Sequence, residues 1–247
     1  MPTIRILLTL ALQRNWSMLQ LDVSNTFLHE DLPDTVFMRQ PIRERLTNHS
    51  ISSQSVEISF LDQTTRKYLL IPWNTDCKLA STPITPKSSH CNRSTQPFSD
   101  PKLYRKLTGS LQYLSITRPD IDFATNSICQ HMHNPTTRGF QALKRLIRYI
   151  KGIIHFSLPL FSGDLQLKTY ADADWASDSN DHKFISGYCT FLGPNLVSWT
   201  IKKQVTVEKS SAEAEYRSLS SATSDVIWLH CLASELQIPQ HSPTVIH

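Results

Sequence analysis

No Cys-x-x-Cys pair occurs in these 247 residues, and the five cysteines, Cys77, Cys91, Cys129, Cys189 and Cys231, are odd in number and widely scattered. That pattern excludes a zinc ribbon and a paired disulfide framework, and it reads as an intracellular, reducing setting rather than a secreted one. His131 and His133 in QHMHNP lack a cysteine or acidic partner at metal spacing, so they are read as ordinary histidines. A long apolar run is missing too. The stretch ILLTLAL near the N-terminus falls far short of the roughly 20 residues that span a bilayer. No small-residue cleavage site follows it, so neither a membrane span nor a secretory signal is expected. Strong charge of one sign is absent, the formal balance being +4, which permits nucleic-acid contact without requiring it. No tandem repeat or low-complexity segment occurs. With 40% hydrophobic residues the chain can build one large domain or two small ones.

What is present is a set of periods that changes along the chain. LQLKTYAD (165–172) alternates as a half-buried strand does, with Tyr170, Asp172 and Asp174 on one face. ISGYCTFL and LVSWTIKK alternate in the same way around the turn signal Gly193-Pro194-Asn195, so three antiparallel strands in a meander are expected. From Ser210 or Ser211, each a candidate N-cap, the period becomes helical, with Leu219, Ala222, Val226 and Leu229 in one stripe. Glu215 lies on that stripe one turn before Leu219, whereas Glu213 points almost the opposite way. A carboxylate facing the sheet is costly without a partner, which singles out Glu215 over Glu213. The final apolar TVI can return parallel to the first strand, giving β-β-β-α-β.

The residues YADADWA, SGYCTFLGPNLVSWTIKKQ and SSAEAEYRSL resemble the ribonuclease H domain of copia-type LTR retrotransposon Pol polyproteins. The resemblance implies an α/β, ribonuclease H-like domain over 161–247, with Asp172 and Glu215 as catalytic metal ligands. RNA–DNA hybrid is the implied partner and Mg²⁺ the implied cofactor, two ions serving to activate water and stabilise the leaving oxygen. In the family the last strand runs on into an Asp-Asn pair that this sequence does not reach. Hydrolysis is therefore expected to be absent or weak. Asp174 is close by, and Asp178 and Asp181 fall in the polar loop SDSNDHK as turn formers; none is expected to replace the missing carboxylate.

Nearer the N-terminus, IRILLTLALQRNW reads as a short helix with Ile4, Leu7, Leu8 and Ala11 on one side. QLDVSNTFLHEDLPDTVFMRQP, which follows, resembles the first palm motif of copia-type reverse transcriptases. That implies a palm remnant at 1–42, with Asp22 as a catalytic Mg²⁺ ligand and Phe27 as the aromatic that discriminates the nucleotide sugar. The Tyr-x-Asp-Asp hairpin such a polymerase needs occurs nowhere in the chain, so no polymerisation is expected. Residues 43–75 have no clear period and read as a junction across an internal deletion.

The segment 76–160 reads as a helical connection region. Ser99 or Asp100 with Pro101 fits a helix start, and Tyr104, Leu107, Leu111 and Leu114 give its apolar face. Arg118-Pro119-Asp120 restarts a helix through Ile121, Ala124, Ile128 and Met132. A third helix buries Leu143, Leu146, Ile147 and Ile150, leaves Lys144, Arg145, Arg148 and Lys151 on its other side, and stops at Gly152. Four cations within two turns suit a nucleic-acid backbone, and equally a solvated face. The reading is thus a degenerate Pol fragment, with a non-catalytic nucleic-acid-binding module as the alternative.

Overall fold

The apolar periods resolve into a cluster of three helices followed by a sheet with a long helix across it. A computed structural model describes residues 1–18, 55–58, 77–85, 96–154, 156–174 and 183–247. In chain order these form α1 (Pro2–Gln13), β1 (Ser55–Ile58), α2 (Pro101–Leu114), α3 (Pro119–Cys129), α4 (Thr137–Gly152), β2 (Leu158–Phe161), β3 (Leu167–Asp174), β4 (Ile185–Leu192), β5 (Asn195–Lys203) and α5 (Ser211–Glu235). Asp22, Phe27, Asp178, Asp181 and most of the expected junction lie outside the described residues. Among the described residues no helix is long and apolar enough to cross a membrane.

The helical cluster follows the sequence closely. Asp100 caps α2 by accepting the Leu103 N–H at 3.0 Å, with Pro101 in the first turn, an arrangement that contributes about 1 kcal/mol. Tyr104, Leu107, Leu111 and Leu114 are all buried, against Ile121, Ala124 and Ile128 of α3 and Leu143, Leu146, Ile147 and Ile150 of α4. Each aliphatic side chain so removed from water contributes roughly 1.5–3 kcal/mol. Tyr104 satisfies its hydroxyl by donating to Ile128 O at 3.0 Å. A Cβ on Gly139 would come within 3.2 Å of the Tyr104 hydroxyl and 3.6 Å of its ring, so α4 approaches α2 at a residue without a side chain. Thr136 caps α4 by accepting the Gly139 N–H at 3.1 Å. Arg118, buried at the start of α3, donates twice to Asp120, at 2.8 and 2.7 Å, and to the carbonyls of Ile153 and Phe156 beyond α4.

The sheet is the meander its alternation implies. Its order is β3-β4-β5, antiparallel throughout, with Thr169 opposite Thr190 and Thr190 opposite Ser198, and a bulge between Thr190 and Phe191. The β4–β5 turn is Gly193-Pro194. Gly193 has φ +58°, and a Cβ there would fall 1.6 Å from the Asp164 carbonyl oxygen, so the turn admits no side chain. On the other side of β3 the chain end returns parallel: Ala171 N–H donates to His247 O at 2.9 Å and His247 N–H to Thr169 O at 3.0 Å. The ladder β1–β2 is a separate antiparallel pair. Asn195 ties β2 to the hairpin, accepting the Phe161 N–H and donating to Phe161 O.

The rotation of α1 differs from the periodicity. Ile4 and Leu7 are exposed, while Arg5, Ile6, Thr9, Leu10, Ala11 and Leu12 are buried. A run that is apolar on every side gives no rotational preference of its own, and here Arg5 decides. Its guanidinium lies 3.7 Å from the centre of the Trp199 ring and donates to Val197 O and Ile116 O. Ile6 and Leu10 thereby join Leu167, Leu192, Val197 and Leu229 in the core beneath α5.

Candidate functional site

The candidate carboxylates come from one strand and one helix. Asp172 is exposed on β3, on the same side as Tyr170 and Asp174. The opposite side carries Thr169, which donates to Thr190, and that is the side α5 covers. Alternation therefore turns Asp172 away from the helix. Its cross-strand partner is Gly187, so no side chain of β4 stands beside it.

The helix starts with reciprocal capping. Ser210 Oγ accepts the Glu213 N–H at 3.2 Å, and Glu213 reaches back to accept the Lys209 N–H at 3.1 Å. The Glu208 carboxyl hydrogen-bonds Glu213, and with the Lys209 N–H and Arg217 it holds the Glu213 carboxyl below its usual range. Arg217 also pairs with buried Glu208 at 3.1 Å. Glu213 is thus a capping residue.

The buried stripe of α5 is Ala214, Ser218, Ala222, Val226, Leu229 and Ala233. Leu219, expected within it, is exposed, and so is Glu215. Glu215 thus lies outside the buried stripe expected to hold it: the helix is rotated so that Ser218, not Leu219, enters the contact. The reason is polar. Ser218 Oγ lies 2.8 Å from Asp172 O and 3.2 Å from Gly187 O and can donate to either, a role leucine could not fill. This contact sets the turn carrying Glu215 close to the end of β3. Neither the Asp172 nor the Glu215 carboxylate has a hydrogen-bond or ion-pair partner among the described residues. Nor do three or more His, Cys, Asp or Glu residues among them converge on a metal-sized site. Two exposed carboxylates fall short of what a pair of divalent ions requires.

Periodicity did not single out Asp225, a half-buried carboxylate midway along α5. It accepts from Thr190 at 3.4 Å and Ser198 at 3.3 Å, and Tyr188 also hydrogen-bonds it. Burial pushes its carboxyl above the usual range despite these bonds, and pushes the Tyr188 hydroxyl up to about 12. The available signal was an acidic residue directly beside the stripe position Val226, opposite strands rich in Ser and Thr.

The basic side of α4 is less open than the sequence implied. Lys144, Arg145, Arg148 and Lys151 are all half-buried. Arg145 donates to Thr82 at 2.7 Å, Leu79 packs where Gly152 has no side chain, and Lys144 lies 4.9 Å from the centre of the Phe140 ring. The segment 77–85 lies along part of this surface.

A helical cluster joined to an α/β unit with a three-stranded antiparallel sheet is the class of protein these features define. No family model matches the chain, and no solved structure matches it. Among known proteins, it is 43% identical over 154 residues to uncharacterized mitochondrial protein AtMg00810 of Arabidopsis thaliana, covering 62% of this chain and 64% of that one. It is 43% identical over 171 residues to the retrovirus-related Pol polyprotein from transposon RE1 of the same plant, covering 69% of this chain and 12% of the polyprotein. A third relative, secreted RxLR effector protein 161 of Plasmopara viticola, is 40% identical over 128 residues, covering 51% of this chain and 90% of that protein. The chain belongs to the copia-type retrotransposon Pol family. It spans less than two thirds of the mitochondrial relative and a small fraction of the RE1 polyprotein.

Proposed function

We propose that 161–247 is a ribonuclease H-type unit directed at the RNA strand of RNA–DNA hybrids, carried by a Pol-derived chain that does not itself polymerise. The observation that supports this reading most is the Ser218 contact with the Asp172 carbonyl, which sets the turn of Glu215 close to the strand of Asp172 while both carboxylates stay unpartnered and exposed. A divalent ion held there would supply charge stabilisation at a phosphodiester. The two carboxylates by themselves do not complete such a site. Their role in this chain is to present an open, acidic rim at the end of the sheet. The test is cleavage of labelled RNA–DNA hybrid in Mg²⁺. The 247-residue chain is expected to show little or none. A chain extended by the Asp-Asn strand and following helix that the family resemblance implies should gain cleavage, and Asp172→Asn or Glu215→Gln in it should abolish that cleavage. Cleavage by the extended chain that survives both substitutions sinks the proposal.

A further inference from the structure

The face that α5 turns to the sheet is small and smooth. Leu229 apart, it consists of Ala214, Ser218, Ala222, Val226 and Ala233, and side chains of this size make shallow ridges that only weakly set the axial position and rotation of a helix. Two polar pegs supply what the packing lacks. One is Ser218, donating to the carbonyls at the end of β3 and β4. The other is Asp225, about two turns further along. Its Oδ2 accepts from Thr190 Oγ1 and its Oδ1 from Ser198 Oγ, while Thr190 in turn accepts from Thr169 Oγ1 at 3.1 Å. Thr169, Thr190 and Ser198 are register partners on the three strands, and all three are buried. A hydroxyl has one proton to give. Thr190 gives its own to Asp225 and takes that of Thr169, so the chain has one direction and ends on one carboxylate.

We propose that Asp225 is a positioning residue: through this hydroxyl chain it fixes the register of α5 on the sheet, and with it where the Glu215 turn stands relative to Asp172. The consequence for those two carboxylates rests on the function proposed above; the register itself does not. Two pegs are the minimum for this task, since Ser218 alone would leave the helix free to pivot about it. A half-buried carboxylate is a costly way to join a helix to a sheet, and the use that outweighs the cost is specifying one arrangement among several that smooth packing would allow. Among the described residues, the titratable side chain facing Asp225 from the packed strands is Tyr188 on β4; β3 and β5 present hydroxyls.

The experiment is methyl NMR on the full chain, with Ala, Val and Thr labelled. Asp225→Asn keeps the size of the side chain but cannot accept from both hydroxyls as the carboxylate does. It should broaden or shift the α5 methyls that contact β3, while Val226→Ala, a cavity one residue away, lowers the melting temperature and leaves those contacts in place. Where Asp225→Asn fails to fold, Thr190→Val with Ser198→Ala removes the same bonds from the sheet side and should give the same loss. Contacts intact in Asp225→Asn, or lost equally in Val226→Ala, overturn the proposal. Loss of register with unchanged affinity for RNA–DNA hybrid leaves it standing and counts against the functional reading instead.

Discussion

Arg5 and Arg118 are both almost fully buried guanidinium groups, and they are satisfied in opposite ways. Arg118 has a carboxylate, Asp120, in a two-point contact. Arg5 has only carbonyls and the face of Trp199, and burial lowers its pKa to about 10. It nevertheless joins three segments: α1, β5 through Val197, and the end of α2 through Ile116. Arg5→Met would keep an apolar stem on the indole but leave both carbonyls without their donor. Chemical denaturation should show a loss of about 2–3 kcal/mol, and an unchanged urea midpoint would mean that α1 is held by Ile6 and Leu10 alone. The polar residues that matter most for positioning, Arg5, Ser218 and Asp225, all sit beside apolar stripe positions. Their partners lie far away in sequence, so periodicity passes over them.

Among the elements, the β4–β5 hairpin carries the least freedom. Its turn is two residues long, its first residue is left-handed, and the Asp164 backbone fills the space where a side chain would stand. Gly193→Ala is expected to cost about 1–2 kcal/mol from the backbone conformation alone. The clash should add to that by displacing the chain entering β3. Thermal melting of the variant measures the loss; a melting temperature equal to wild type would show that the turn can rearrange freely. The helices differ in how far their own sequences determine them. α2 and α4 have a single apolar face with a cap residue in front, and they bury the residues their periods select. α1 is apolar all round and α5 is small and mixed on several sides, and in both the orientation is set by a polar contact with the sheet.

For the molecule as a whole, the cationic side of α4, along part of which the segment 77–85 lies, is the surface we propose for a nucleic-acid backbone. Hybrid binding should weaken as salt rises, because phosphate contacts release counterions, and reversing Lys144 and Arg148 together should lower affinity about equally for all sequences. Arg145 is the poorer choice for that test because its bond to Thr82 ties it to the fold. Salt-independent binding in a filter or anisotropy titration would remove this face from consideration. The sequence by itself determined the three strands of the meander, the turn between the last two, the starts of α2 and α5 to within one residue, and the helical core, because alternation, caps and single apolar faces are local properties; the strands β1 and β2 and the choice of Asp100 and Ser210 as caps came from the structure. The sequence also determined membership of the Pol family through motifs that lie close together along the chain. Only the tertiary structure decided which way α1 and α5 rotate, that Glu215 is exposed beside the buried stripe, and that the cations of α4 are half covered. It alone brought Asp225 to hydroxyls from the strands. The physical reason is common to these cases: where a helix offers more than one face of similar hydrophobicity, burial energies nearly cancel, and hydrogen bonds to residues distant in sequence make the choice.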